Sequence, residues 1–122
     1  MPDLIWDINL AAKAQAWANR CPNGHDPDEA RLTPPYKWVG QNWAVDADVA
    51  KAVRGWFDEY KNYDYQSNYC RAGMCGHYTQ MVWATTTHLG CGVAACKYRG
   101  FDVANLVCNY GPGGNYEGKR PY

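Results

Sequence analysis

Along this chain the spacing of apolar residues changes period. Leu10, Ala14, Trp17 and Ala18 recur at helical spacing within Asp7 to Asn19, behind an aspartate able to cap and ahead of the breaker Cys21-Pro22-Asn23-Gly24, which predicts an amphipathic helix. Val49, Val53, Trp56 and Tyr60 repeat the pattern and predict a second helix over Asp46 to Tyr60, with Asp46 capping its first turn. A short helix is expected to open at Thr79 to Trp83 and to stop at the β-branched run Thr85-Thr86-Thr87. Beyond it the period becomes two. Leu89, Cys91, Val93 and Ala95 alternate with Gly90, Gly92, Ala94 and Cys96, and a second β-rich run covers Val103 to Tyr110, so a hairpin with a Lys97-to-Asp102 turn is expected. The stretches Asn23 to Gln41 and Asn62 to Cys75, rich in Pro, Gly, Asn and Tyr, read as loops, as does the tail from Gly111.

Composition adds constraints that periodicity does not. A chain of 122 residues fits a single domain, here taken as 1–122. Twelve basic and twelve acidic residues give no net charge, which argues against nucleic acid as a partner. Aliphatic residues are scarce, and six Trp and ten Tyr must supply the buried area instead, each ring covering about 150–250 Å² when interior. No apolar run approaches the roughly 18 residues of a membrane span. Cys21, Cys70, Cys75, Cys91, Cys96 and Cys108 contain no C-x-x-C, which favours disulfides over a zinc knuckle and points to an oxidising, extracellular compartment. Fifteen pairings are open to six cysteines. The start, Met1-Pro2-Asp3-Leu4, has neither a basic nor an apolar leader region, so the chain reads as mature or as a fragment.

Few residues carry candidate chemistry. His25 and His77 lie close in sequence to Cys21 and Cys75, and tethered imidazoles suit a metal or general-base role; two hydrogen-bonded loop histidines are the plainer reading. His88 reads as a solvated turn residue. Glu59, among Trp56, Phe57 and Tyr60, is placed to orient an imidazole, with Asp58 turned more toward solvent. The threonine run offers hydroxyl nucleophiles, although such runs at a helix-to-strand transition are usually structural.

Gly76-His77-Tyr78-Thr79-Gln80-Met81-Val82-Trp83, then Gly90-Cys91-Gly92, then Leu106-Val107-Cys108-Asn109-Tyr110-Gly111-Pro112-Gly113-Gly114-Asn115-Tyr116 resemble the two signature motifs of the CAP superfamily, which joins cysteine-rich secretory proteins, antigen 5 venom allergens and plant pathogenesis-related 1 proteins. The resemblance extends upstream through Leu10 to Cys21 and Val39-Gly40-Gln41-Asn42 and so covers nearly the whole chain. It implies an α+β fold, an α-β-α sandwich with a three-stranded antiparallel sheet between helical layers, secreted and stapled by Cys21–Cys96, Cys91–Cys108 and Cys70–Cys75. It also implies that His25, His77 and Glu59 share a cleft in which the histidines hold zinc or another divalent cation. The position of the family's fourth cleft residue, usually Glu, is Gln41, as is common in antigen 5-like venom proteins; without that charge the metal is held more weakly. The family's first helix, with its His-Asn-x-x-Arg motif, is expected to be missing, as is a Cys-rich domain after Tyr122. The function implied is that of a monomeric, non-catalytic module of venom or saliva binding lipid, sterol or a host protein, with no required cofactor. The alternative is a hydrolase with His77 or His25 as base, Glu59 orienting and Thr86 as nucleophile.

Overall fold

Asp7 starts the first helix by accepting hydrogen bonds from the backbone N–H groups of Asn9 and Leu10 at 2.8 and 3.2 Å. In the computed structural model, which describes residues 1–122, this helix is α1 (Ile8–Ala18), preceded by the two-residue strand β1 (Ile5–Trp6). Then follow α2 (Asp28–Arg31), β2 (Gly40–Asp46), α3 (Val49–Asp58), a 3-10 turn (Glu59–Asn62), β3 (Tyr63–Asp64), β4 (Tyr69–Cys70), α4 (Gly76–Met81), β5 (His88–Tyr98) and β6 (Phe101–Gly111).

The main sheet has the order β1-β5-β6-β2. Its body is three antiparallel strands, to which β1 adds a short parallel edge beside His88 and Leu89. The β5–β6 hairpin is longer than alternation suggested, because Arg99 and Gly100, both at positive φ, close it in two residues. Expected loops also hold ordered backbone. The segment 23–41 contains α2 and the first residues of β2, and 62–75 contains the β3–β4 ribbon. The second helix begins later than expected: Asp46 is the last residue of β2, paired with Ala104, and Asp48 caps α3 through Ala50 N and Lys51 N. The third opens at Gly76, not Thr79, and ends at Met81.

Helices cover both faces of the sheet. On one, Leu10, Ala14 and Ala18 of α1 are fully buried, and Ala14 and Ala18 pack on Val107. The Gly-Cys-Gly motif makes this approach possible: a Cβ on Gly90 or Gly92 would overlap the α1 backbone at Ala11 or Gln15, while Cys91 between them turns to the opposite face. On that face Ala52 and Trp56 of α3 pack on Leu106, Cys108 and Tyr110. Three disulfides complete the frame and no cysteine is free. Cys21–Cys96 ties the end of α1 to β5, Cys91–Cys108 joins directly opposed residues of β5 and β6, and Cys70–Cys75 closes the loop before α4.

Candidate functional site

β2 is the outer strand of the sheet, and its consecutive residues Gln41 and Asn42 point to opposite faces. Each reaches toward one histidine. The Gln41 amide nitrogen donates to Asn109 Oδ1 at 2.9 Å, which turns its carbonyl oxygen toward His25 Nδ1 at 2.8 Å. His25 Nδ1 is therefore the donor, and Nε2 keeps its lone pair. On the other face the Asn42 amide donates to the His77 carbonyl and to Tyr110 Oη, each at 3.2 Å.

Glu59 lies just past the end of α3 and does two jobs at once. Its Oε1 accepts from the backbone N–H groups of His77 and Tyr78 at 2.9 and 3.1 Å, capping α4, whose own N-cap residue supplies no side-chain bond. Its Oε2 accepts from His77 Nδ1 at 2.7 Å, and the imidazole stacks on Trp56 at 5.7 Å and 15°. Both side chains of this pair are largely shielded, at 14% and 13% exposure. The carboxylate selects the Nδ1–H tautomer, so His77 too presents Nε2 as an acceptor.

A polar cleft of ≈ 280 Å³ adjoins the first pair and is lined by His25, Gln41, Asp26, Arg31, Gln80 and Asn115 among others; His77 and Glu59 do not line it. Arg31 forms its wall. The buried guanidinium meets Asp26 at 2.7 Å and Asp28 at 3.0 Å, donates to the Val39 carbonyl, and lies 5.6 Å from the Trp38 ring centre. Removing Arg31 would leave the Asp26 carboxylate buried without its partner. No three His, Cys, Asp or Glu side chains are grouped to enclose a metal ion. What the donors offer is two separate imidazole acceptors, each oriented from behind.

Thr86 stands apart from both histidines' hydrogen bonds. Its hydroxyl donates to the Pro112 carbonyl at 2.6 Å and accepts from the Gln80 amide at 3.3 Å, so it serves as a buried structural tie. His88 differs from its sequence reading. It opens β5, half-buried against Tyr36 at 5.8 Å, with Nδ1 2.7 Å from Thr87 Oγ1. Sequence reasoning passed over Arg31, Asp26, Asn109 and Asn115 as site residues. Asp26 directly follows His25, and Asn109 and Asn115 lie within the second motif, where they could have been noticed; nothing local marks Arg31.

Opposite α1, between α3 and the sheet, runs a groove of ≈ 200 Å³ lined entirely by apolar residues, among them Leu4, Val53, Trp56, Met81, Leu89 and Tyr110. No helix is long and apolar enough to cross a membrane.

The sequence model of the cysteine-rich secretory protein family, CAP, matches residues 1–110. Similar proteins include GLIPR1-like protein 1 of Mus musculus, 38% identical over 129 residues, covering all of this chain and 54% of that protein. Venom allergen 5 of Vespa mandarinia is 45% identical over 122 residues, covering 94% and 59%. The chain thus spans little more than half the length of these relatives. Among solved structures, the venom allergen-like protein 4 of Schistosoma mansoni superposes with a TM-score of 0.88 at 36% identity, covering all of this chain and 74% of that one. NaASP2, solved with Zn2+, gives 0.77 at 32% identity, covering 100% and 66%. With both motifs in place on an α-β-α frame that these structures share, the chain belongs to the CAP family of cysteine-rich secretory proteins.

Proposed function

We propose that the chain is a secreted, non-catalytic binding module that takes a lipid or sterol in the groove between α3 and the sheet. One observation carries this reading: every residue lining the groove is apolar, and Val53 of α3 on its wall remains 38% exposed. Such a surface gains free energy by covering itself with hydrocarbon. The volume suits a stretch of acyl chain or one edge of a sterol. Secretion is supported by three disulfides with no free thiol and by kinship with venom allergen 5. Titrating the protein with a fluorescent fatty acid and a fluorescent sterol tests the proposal. Saturable binding by at least one probe is expected, weakened about tenfold by Val53→Asp through a charge placed on the apolar wall. If neither probe binds, the groove is not a lipid site and a protein partner becomes the reading to pursue.

The two histidines support a second, weaker property. His25 lines the polar cleft and His77 does not, so each imidazole, with its Nε2 available, would hold a divalent cation mostly through water, unlike a closed four-ligand site; NaASP2, with its Zn2+, makes zinc the ion to test. Calorimetry should show weak zinc binding that gives way to chelator, since the ion keeps most of its water. Gln41→Glu should strengthen it by adding a charge. Tight binding, or no gain in the variant, contradicts this ligand set.

The hydrolase reading has the Glu59–His77 pair in its favour and a committed Thr86 hydroxyl against it. A fluorophosphonate probe is expected to leave the protein unlabelled; labelling at Thr86 would reverse that judgement.

A further inference from the structure

Tyrosines gather where the chain ends. Tyr65, in the loop between β3 and β4, and Tyr122 stack with ring centres 5.0 Å apart and planes at 25°, the tightest aromatic approach in the molecule. Both rings face solvent, at 40% and 54% exposure. The tail is tied down at three successive residues. Arg120 donates to the carbonyls of Tyr65 and Gln66, the Pro121 carbonyl accepts from Ala84 N at 2.8 Å, and Tyr122 Oη lies 3.0 Å from Tyr78 Oη. The Arg120 guanidinium also lies 5.5 Å from the Tyr65 ring centre. The two phenols are therefore held together by backbone and side-chain bonds that do not depend on the stack itself, which gives each ring a high effective concentration toward the other.

We propose that Tyr65 and Tyr122 form a site of oxidative cross-linking, joined as dityrosine by a haem peroxidase with hydrogen peroxide as the oxidant. Each phenol loses one electron and one proton to become a neutral tyrosyl radical. The radicals couple through a ring carbon ortho to each hydroxyl, forming one C–C bond, and each ring then shifts its ortho hydrogen to oxygen and regains its aromatic phenol. The protein loses two hydrogen atoms, and one peroxide is reduced to two waters. Three features favour this pair. All six cysteines are in disulfides, so no thiol intercepts the radicals. Tyr78, which shares a hydrogen bond with Tyr122, is buried and its ring does not reach the oxidant directly. Tyr69, although 63% exposed, has no aromatic ring stacked on it. The product would sew the tail to the β3–β4 ribbon covalently, beside the Cys70–Cys75 disulfide that closes the next loop. Met74 is 62% exposed and will compete for peroxide by forming its sulfoxide, which adds oxygen and is told apart by mass.

The test treats the disulfide-intact protein with a haem peroxidase and one equivalent of hydrogen peroxide, then isolates monomer by size exclusion. Monomer lighter by two hydrogens and carrying dityrosine fluorescence is expected, with a peptide map linking Tyr65 to Tyr122. Tyr65→Phe and Tyr122→Phe, which keep the stacked rings and remove only the hydroxyl, should each reduce the monomeric cross-link at least tenfold, while Tyr69→Phe leaves it unchanged. The same treatment in guanidinium, with disulfides intact, should lower the yield severalfold, because the fold supplies the proximity. Cross-links found only between molecules, a map placing the bond elsewhere, or a yield unmoved by guanidinium would each overturn the proposal.

Discussion

On one face of the sheet α1 lies so close that Leu10, Ala14, Ala18 and Val107 keep no exposed surface, whereas on the other α3 leaves Val53 and Phe57 of its own side chains 38% and 45% open and an apolar groove beside Trp56. The contrast traces to single residues of one strand. Gly90 and Gly92 turn bare backbone toward α1, and Cys91 between them turns a side chain toward α3. A helix resting on glycine can close over a sheet; one facing Leu89, Cys91 and Tyr110 is held off by side-chain volume, and the space left is the groove. The closed face contributes stability, and the open face keeps a surface whose burial by a ligand is still favourable.

The sharpest way to break this comparison uses one substitution on each side. Gly90→Ala drives a Cβ into the backbone of α1 and is expected to cost about 3 kcal/mol, since backbone cannot swing aside as a side chain does. Gly55→Ala, in the middle of α3, meets nothing within 4 Å and should stabilise by about 1 kcal/mol through helix propensity. Urea unfolding of the two variants should move the midpoint in opposite directions. Equal shifts would mean that the two faces are not finished differently.

Disulfides extend the contrast. Cys21–Cys96 spans 75 residues and holds the end of α1 to the hairpin, while Cys70–Cys75 spans 5. Loop-closure entropy assigns them about 4.5 and about 2 kcal/mol respectively. Paired Cys→Ala replacements, compared by thermal unfolding, are expected to rank in that order. A larger loss from the short clip would show that the open side depends on it for more than chain entropy.

How much of this was legible beforehand follows the range of the forces involved. α1 was readable almost to the residue, because Asp7, the apolar repeat and the Cys21-Pro22-Asn23-Gly24 breaker act within a few positions of one another. The start of α3 was not. Asp46 and Asp48 are equally good caps in sequence, and the choice falls to Asp48 because β6 claims Asp46 as the end of a strand. β2 itself escaped notice because Gln41 and Asn42 put amides where an alternating strand would show an apolar residue, and those amides are bonded to Asn109, His77 and Tyr110. The site shows the same division. His25, His77 and Glu59 stand out from their neighbours in the sequence, and Gln41 only through the family resemblance. That Gln41 orients His25, and that Glu59 caps α4 while holding His77, depends on partners 16 and 18 positions away that no local pattern joins.

A finer contrast separates the two helix caps. Asp7 and Asp48 each accept two backbone N–H groups, but Asp7 also accepts the Tyr36 hydroxyl at 2.8 Å. That bond holds the Asp7 carboxyl below its ordinary 3.8, assisted by the two backbone bonds, while burial and then the neighbouring carboxylate push the Tyr36 phenol up to about 12. At neutral pH, Asp48→Ala should cost about 1 kcal/mol and Asp7→Ala about 2 kcal/mol. The sign of the pH dependence follows from the depressed value. A carboxyl that is more acidic folded than unfolded stabilises the protein above its unfolded pKa and loses that contribution as the pH falls through the folded one. Asp7 should therefore give its stabilisation up below about pH 4. Tyr36→Phe, which keeps the ring against His88, removes the main cause of the shift. Urea midpoints for the wild type and this variant should differ at neutral pH, and the gap should narrow as the pH falls below about 4. A gap that stayed constant across that range would mean that the Tyr36 bond stabilises the closed face by packing alone, with no preference for the charged carboxylate.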